Sequence, residues 1–315
     1  MKVAVMESLG ISNEELKSLE APFEQQGTEF CHYDKTTDAQ TLIEEAKDAD
    51  AMILANMPMP AEVIRSCPKL KFIDIAFTGV DHVGLDAAKE RGIAASNASG
   101  YSNEAVSELV IGMVLGMARN LRAVEDRCRK GGTKDGLVGW EVKGKTVGII
   151  GLGKIGSRTA ELFHVLGADV LAQSRSHHTD APDYVTQVDQ EELLRRSDIV
   201  VLHCPLNDST RGMIGAKQLS MMKSSAILVN AARGPVVNEK ELAAALRDGV
   251  IAGACLDVFD KEPPLAEDSE ILQVPNTLVT PHVAFATKES MSLRAKIVFD
   301  NLKAWMDGRQ INVIL

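Results

Sequence analysis

Residues 147–156 read Val147-Gly148-Ile149-Ile150-Gly151-Leu152-Gly153-Lys154-Ile155-Gly156. An apolar, strand-like run over 146–150 leads into this stretch, and a helical pattern follows it to about Leu166. The glycines have the spacing GxGxxG: the first makes a tight turn, the second lets a pyrophosphate approach the backbone, and the third lets helix and strand pack. The helix N-terminus adds unpaired N–H groups and a partial positive charge. The motif predicts a dinucleotide-binding turn; the alternative is a glycine-rich turn that binds nothing.

Further cofactor contacts are expected at the carboxyl ends of the following strands, because open α/β sheets bind ligands there. The predicted contacts in the turn and at these strand ends are Gly151, Gly153, Lys154, Ile155, Gly156, His203, Cys204, Pro205 and Ala231. The strand predicted over 169–173 comes directly after this helix. Ser174 and Arg175 follow it, at the place where an NAD-binding chain has an acid that binds the ribose 2′-hydroxyl. Since a guanidinium forms charge-assisted bonds with a 2′-phosphate, we predict that NADPH is preferred over NADH, with NAD(H) as the alternative.

Short apolar runs alternate with longer amphipathic segments along the chain. The first series of predicted strands covers 3–6, 51–55, 72–76 and 93–96. The second series covers 146–150, 170–173, 199–203, 227–230, 252–258 and 278–280. Such alternation predicts an α/β protein with two doubly wound, largely parallel sheets, whose strands are apolar on consecutive residues because helices cover both faces.

The break between the two series falls near Gly100. A helix is predicted to begin at Ser102 and to run to about Asn120, since Ser102 is able to accept from exposed N–H groups of the first turn. From Arg119 to Lys145 the chain becomes polar and glycine-rich. This stretch is predicted to be a loop or an arm.

The amino-acid composition excludes several classes of protein. The chain has 315 residues, of which 45% are hydrophobic and 25% are charged, and its formal net charge is −10. This composition argues against disorder, and the acidic balance argues against a general nucleic-acid binder. No apolar run reaches the roughly 18 residues that span a bilayer. The five cysteines are scattered without a CxxC pair, so we expect no disulfide framework, no metal site and a reducing, cytoplasmic location.

Three ionisable residues, Arg233, Glu262 and His282, each follow a different strand of the second series. Each one alone is more often a solvated loop residue, but the three are chemically complementary. Arg233 offers a planar fork to a carboxylate and a carbonyl, and His282 offers a proton near neutral pH. A carboxylate at Glu262 favours the imidazolium form of His282 and orients its ring. Together they fit the reduction of a 2-oxo acid beside a nicotinamide.

These motifs resemble the D-2-hydroxyacid dehydrogenase family. The matching segments are 147–156, 229–234, 256–263 and 280–282, with 78–82 and 103–108 upstream. The resemblance implies that Arg233, Glu262 and His282 are the catalytic residues. It implies that Asp257 contacts the nicotinamide carboxamide. It also implies that the substrate carboxylate meets backbone N–H groups near Asn56, Met57, Gly79 and Val80.

The resemblance also implies a domain arrangement. A Rossmann-type cofactor domain, residues 101–283, is expected to be inserted into a flavodoxin-like substrate domain, residues 1–100 plus 284–315. Two hinge helices, at about 102–120 and 285–307, would join them, with the active site in the cleft. Family members are usually homodimers built on the cofactor domains, and here the arm near 119–140 would take part.

The segment 280–287 is most similar to glycerate dehydrogenases, also called hydroxypyruvate or glyoxylate reductases. The sequence therefore predicts NAD(P)H-dependent reduction of a small 2-oxo acid to the D-2-hydroxy acid, with His282 as proton donor. One alternative is a corepressor-type protein on the same fold that senses the dinucleotide. Others are a dehydrogenase for a bulkier 2-hydroxy acid or for phosphoglycerate. Neither a nucleic-acid nor a membrane partner is expected.

Overall fold

The computed structural model describes residues 1–262 and 265–315. Pro263 and Pro264, which continue the family-like segment after Glu262, lie outside the described residues. The chain divides into two compact units, Met1–Ser102 with Ala286–Leu315, and Asn103–Phe285. The second unit is therefore inserted into the sequence of the first.

The strands among the described residues are β1 (Lys2–Val5), β2 (Glu29–His32), β3 (Ala51–Leu54), β4 (Phe72–Ile75), β5 (Ala94–Asn97), β6 (Thr146–Ile150), β7 (Asp169–Gln173), β8 (Val185–Gln187), β9 (Ile199–Leu202), β10 (Ile227–Asn230), β11 (Gly253–Leu256) and β12 (Thr277–Val279). The helices are α1 (Asn13–Glu24), α2 (Ala39–Ala46), α3 (Ala61–Ser66), α4 (Leu85–Glu90), α5 (Asn103–Ala118), α6 (Leu121–Arg129), α7 (Lys154–Val165), α8 (Gln190–Arg196), α9 (Ala216–Leu219), α10 (Glu239–Arg247) and α11 (Lys288–Met306).

The first unit has a five-stranded parallel sheet in the order β2-β1-β3-β4-β5. This is the flavodoxin-like order. Every residue of β3 and β4 is buried, as expected for central strands that helices cover on both faces. The carboxyl ends of these two strands carry the segments that begin at Ala55 and Ala76.

The second unit has a seven-stranded parallel sheet in the order β12-β11-β10-β9-β6-β7-β8. Six of these strands follow the Rossmann order, and β12 extends one edge. The predicted fold class, two doubly wound parallel α/β sheets with a Rossmann-type unit, is confirmed. The order changes direction between β6 and β9, and the chain after both strands lies at the carboxyl edge of the sheet.

The structure differs from the sequence prediction in three places. The strands β2 and β8 were not predicted: β2 is an edge strand without a fully buried residue, and β8 has three residues. The stretch from Arg119 to Lys145 is not wholly a loop, because α6 lies within it. Asn120, in a left-handed conformation with φ of +50°, separates α6 from α5. Within the described chain, no helix has the length and apolar character needed to cross a bilayer.

Candidate active site

The glycine turn between β6 and α7 has the close contacts that its sequence predicts. Gly151 has a φ of +102°, a conformation that favours glycine. A Cβ there would come within 2.7 Å of the main chain at His203 and Cys204, which follow β9. A Cβ at Gly156 would overlap the carbonyl oxygen of Gly151. The turn therefore packs tightly against its own helix and against the end of β9.

Gly153 is different, because a Cβ at this position would have no protein atom within 4 Å. Gly153 is the N-cap residue of α7, and no side chain caps the helix there. The space beside the N-cap is therefore open, and Gly153 has no side chain that could accept from the first N–H groups of α7. Such an end is suited to a phosphate group, so the residues of the turn fit a dinucleotide cofactor.

The loop after β7 carries the residues predicted to select the cofactor. Ser174 Oγ donates to the carbonyl oxygen of Ser176 at 2.7 Å, and Arg175 is exposed. The side-chain amide of Gln187, on β8, binds both main-chain groups of His178: Oε1 accepts from its N–H at 2.9 Å, and Nε2 donates to its oxygen at 2.7 Å. The loop that presents Arg175 is therefore anchored to the neighbouring strand.

His203 belongs to a chain of hydrogen bonds that the sequence did not predict. Its Nε2 lies 2.9 Å from Thr159 Oγ1, Thr159 donates to Ser107 Oγ at 3.0 Å, and Ser107 donates to the oxygen of Ile155 at 3.3 Å. Each hydroxyl has one proton to give, so Nε2 of His203 must be the donor to Thr159. Burial lowers the pKa of His203 to about 4, and the imidazole is therefore neutral at pH 7.

Arg233 projects from a turn that directly follows β10. Asn230, which is 1% exposed, holds this turn: its Nδ2 donates to the oxygen of Arg233 at 3.0 Å, and its Oδ1 accepts from the N–H of Ala232 at 3.1 Å. A Cβ at Gly234 would overlap the carbonyl oxygen of Phe259. The Arg233 turn therefore packs directly against the segment that leads from β11 towards Glu262.

Glu262 and His282 are in direct contact. Glu262 Oε2 lies 2.7 Å from His282 Nδ1, and the side chains are 47% and 16% exposed. The ring of Phe285 meets the imidazole edge to face, with centroids 5.6 Å apart. A carboxylate only accepts, so the proton at Nδ1 lies between the ring and Glu262.

The three predicted catalytic residues emerge from one edge of the sheet. Arg233 follows β10, Glu262 follows β11, and His282 follows β12, and these strands are parallel neighbours. Two strand spacings separate β10 from β12, or about 10 Å. A cation, an imidazole and its carboxylate partner at this edge form a set able to bind an anionic carbonyl compound and to give it a proton.

Asp257, predicted as a cofactor contact, lies directly after β11 and is fully buried. Its carboxylate accepts from Thr280 Oγ1 at 2.6 Å, from Val283 N–H at 2.9 Å and from Ala284 N–H at 2.9 Å. Burial raises the pKa of Asp257, and these hydrogen bonds oppose that rise. The structure thus ties Asp257 to the turn around His282, a relation that sequence spacing did not reveal.

The predicted substrate contacts of the first unit follow β3 and β4. Asn56 Oδ1 accepts from Lys35 Nζ at 3.0 Å. The N–H of Met57 already donates to Oε1 of Glu7 at 2.7 Å, and Met57 is fully buried. The main-chain donor of Met57 thus serves a buried carboxylate of the protein itself, and the role of the 56–57 segment in binding the substrate stays a prediction. Gly79 and Val80 lie in the segment after β4 and are partly exposed.

Comparison with known proteins bears on this geometry. A family model described as "D-isomer specific 2-hydroxyacid dehydrogenase, NAD binding domain" matches residues 111–284. The chain belongs to the D-isomer specific 2-hydroxyacid dehydrogenase family. The match covers the glycine turn and His282, so the second unit is the NAD-binding domain of a family of oxidoreductases.

Members of this dehydrogenase family similar along most of their length include two bacterial enzymes. A glycerate dehydrogenase of Methylorubrum extorquens is 37% identical over 296 residues, which cover 91% of this chain and 92% of that protein. A hydroxypyruvate reductase of Blautia hydrogenotrophica is 32% identical, covering 100% of this chain and 99% of that protein. The chain is therefore an enzyme of the 2-hydroxyacid dehydrogenase type.

A similar solved structure is that of an acyclic imino acid reductase in complex with NADPH and D-Arg. It matches the dehydrogenase with a TM-score of 0.91 and 26% identity, covering 100% of both chains. The same fold thus occurs in a protein whose structure was solved with a reduced dinucleotide. This agrees with the fit of the glycine turn to such a cofactor.

Proposed function

We propose that this chain reduces a small 2-oxo acid to the D-2-hydroxy acid with a reduced nicotinamide dinucleotide. The observation that carries the proposal is the 2.7 Å contact between His282 and Glu262 at the sheet edge that Arg233 shares. When bound, the cofactor supplies a hydride to the carbonyl carbon of the substrate. The residues of the chain have to bind the substrate anion, orient its carbonyl group and supply one proton.

His282 is the proposed proton donor. With Nδ1 held by Glu262, the ring presents Nε2 to the carbonyl oxygen, and the proton leaves Nε2 as negative charge develops on that oxygen. The Glu262 carboxylate accepts from Nδ1 and keeps the ring in one orientation. Arg233 attracts the substrate carboxylate and polarises the carbonyl, because its planar guanidinium is able to reach both oxygens.

Main-chain N–H groups of the first unit are the proposed second support for the substrate carboxylate. The candidate donors lie in the two segments around Asn56-Met57 and Gly79-Val80, and within the first of them the N–H of Met57 itself donates to Glu7. Glu7 Oε1 also accepts from the N–H of Ala55 at 2.8 Å, so the segment after β3 is held in place from within its own unit.

NADPH is the proposed preferred cofactor. The chain has no acid directly after β7, and the exposed Arg175 stands on a loop that Gln187 anchors. A guanidinium there binds a 2′-phosphate through charge-assisted hydrogen bonds, which a ribose hydroxyl cannot offer. Neighbours of this fold are solved with NADPH and with NAD, so the support for NADPH comes from the loop after β7.

Hydroxypyruvate and glyoxylate are the proposed substrates, in keeping with the relatives named glycerate dehydrogenase and hydroxypyruvate reductase. The test is the absorbance decay of NADPH and of NADH with glyoxylate, hydroxypyruvate, pyruvate, 2-oxoisocaproate and phenylpyruvate. We expect the largest kcat/KM with one of the first two acids and NADPH. Turnover of none of the five would remove the proposal.

A homodimer built through the arm is the proposed assembly. Helix α6 buries none of its residues, and Leu121 and Val138 are 54% and 81% exposed. Residues 121–134 carry five basic and two acidic side chains in a chain of net charge −10, so a second copy offers a surface of complementary charge. Light scattering of the parent and of Leu121→Asp tests this, with dissociation expected for the variant.

The five free cysteines favour a reducing, cytoplasmic location.

A further inference from the structure

Glu7 is a buried carboxylate at the carboxyl edge of the first sheet. It comes two residues after β1 and is 5% exposed. Because β1 and β3 are parallel neighbours, the chain after β1 lies beside residues 55–57, which follow β3. Glu7 Oε1 accepts from the N–H of Ala55 at 2.8 Å and from that of Met57 at 2.7 Å. Glu7 thus binds the donors on both sides of Asn56, whose own N–H is the candidate donor to a substrate carboxylate.

Two further side chains hold the same segment. Lys35 Nζ donates to Asn56 Oδ1 at 3.0 Å and lies 3.8 Å from Glu7 Oε2. His82 Nε2 lies 2.8 Å from the main-chain oxygen of Ala55, and since a carbonyl only accepts, the imidazole is the donor. Main-chain donors, a main-chain acceptor and a side chain of this three-residue segment are therefore all bound from within the first unit.

The negative charge of Glu7 is balanced by two cations. A buried carboxylate is costly to desolvate unless it is paired. Arg294 on α11 is 2% exposed, and its Nη2 donates to the oxygen of Leu9 at 2.7 Å, which holds the loop that carries Glu7. Burial lowers the pKa of Arg294, and the charges of Tyr101 and Glu7 oppose that shift. Together with Lys35, Arg294 offsets the charge of Glu7 close to a segment that has to receive an anion.

We propose that Glu7 is a positioning residue for the substrate carboxylate, acting by fixing the main chain of residues 55–57 rather than by touching the substrate. The inference rests on the proposed function, in which this segment donates to the oxo acid. The substrate carboxylate keeps its charge while the hydride reaches the neighbouring carbonyl carbon. A group that only binds this carboxylate therefore contributes equally to the ground state and the transition state, so its loss raises KM and leaves kcat.

Two substitutions at Glu7 separate position from charge. Glu7→Asp keeps the charge, but its side chain is one methylene shorter and does not reach both N–H groups. Glu7→Gln loses the charge and keeps an amide oxygen that is able to accept from two donors. We expect Glu7→Asp to raise KM for hydroxypyruvate about tenfold, as for the loss of one to two hydrogen bonds. Glu7→Gln should stay within about threefold of the parent, and kcat and the Kd of NADPH should remain parental in both variants.

Amide hydrogen exchange reports on the segment without relying on turnover. The N–H groups of Ala55 and Met57 should exchange faster in Glu7→Asp than in the parent, because their acceptor has moved away. In Glu7→Gln both amides should exchange at nearly the parental rate.

Lys35 keeps the inference testable if Glu7→Asp does not fold, because its side chain is 51% exposed. Lys35→Met should raise KM roughly threefold, since it removes one hydrogen bond to the segment. Combination with Asn56→Ala should add nothing, because both changes remove the same bond, whereas a long-range charge effect of Lys35 would add. Lys69→Met is the control: Lys69 pairs with Asp48 at the opposite edge of the sheet, and its loss should leave KM parental.

Two outcomes overturn the inference. In the first, folded Glu7→Asp has the parental KM although its Ala55 and Met57 amides exchange faster. In the second, Glu7→Asp and Glu7→Gln raise KM equally, which assigns the effect to something other than the reach of the side chain. Failure of the proposed function looks different, because the parent itself then reduces no 2-oxo acid, and the inference falls with it.

Discussion

The substitution Gly153→Ala tests separately whether the glycine turn is needed for the stability of the fold and whether it is needed to bind the dinucleotide. The φ of −79° and ψ of −167° at Gly153 are accessible to alanine, and the added methyl group meets no protein atom within 4 Å. Alanine is a poorer N-cap than glycine, but it also restricts the unfolded chain, so the free energy of unfolding should change by less than about 1 kcal/mol. Since the methyl contacts no described atom, we expect it to obstruct only a phosphate bound in the turn.

The expected loss is one charge-assisted hydrogen bond to that phosphate, about 2 kcal/mol or roughly 30-fold in Kd. Calorimetric titration with NADPH measures the affinity, and thermal unfolding measures the stability. Gly112→Ala, on α5 with no atom within 4 Å of the new methyl, is the control: it should keep the parental Kd and raise the free energy of unfolding by about 0.5–1 kcal/mol, since alanine is favoured over glycine inside a helix. Gly156→Ala should lower both the affinity for NADPH and the free energy of unfolding, because its methyl overlaps the Gly151 oxygen. A folded Gly153→Ala protein with parental Kd would refute the assignment of the turn.

Three further predictions concern charge. Arg175→Ala should lower kcat/KM for NADPH by about tenfold and leave that for NADH unchanged, since only a 2′-phosphate uses the guanidinium; equal losses with both cofactors would speak against it. Glu262→Gln should lower kcat by roughly tenfold, because a neutral amide oxygen holds the Nδ1–H of His282 less strongly than a carboxylate does; an unchanged kcat would speak against a role for this pair. Burial lowers the pKa of His203 from 6.5 to about 4, so the imidazole binds a proton more readily in the unfolded chain than in the folded one. Acidification therefore favours unfolding, and the free energy of unfolding should fall by about 2 kcal/mol from pH 7 to pH 5. In urea titrations at pH 7 and pH 5, His203→Gln should lack this decrease in the free energy of unfolding. An equal decrease in the variant and the parent would contradict the prediction.

The features that the sequence could predict are those with a local cause. The glycines at 151, 153 and 156 are required within one turn, and the apolar runs of β3, β9 and β10 are buried along their whole length. The order of residues then determines the topology, because parallel strands joined by helices have few allowed arrangements. Arg233, Glu262 and His282 were found for the same reason: each comes shortly after a strand of one sheet.

The features that were missed depend on long-range contacts. Helix α6 lies within a stretch that was predicted to be a loop or an arm. Its apolar positions Leu121, Val124 and Cys128 have helical spacing but are not buried, and the glycines and charges around them hid this short amphipathic pattern. The N–H of Met57 is satisfied by Glu7, 50 positions away in the sequence. Asp257 meets the turn around His282 across 23 to 27 positions. No spacing rule connects such pairs, since only the folded sheet brings them together.

The most direct test of the proposed chemistry is a single-turnover measurement with hydroxypyruvate and saturating NADPH, comparing the parent with His282→Gln. Glutamine is close in size to histidine but has no proton to transfer at neutral pH. The rate of NADPH oxidation should fall by roughly two to four orders of magnitude, while the Kd of NADPH stays at the parental value. A variant that oxidises NADPH within a fewfold of the parental rate would show that the proton comes from elsewhere.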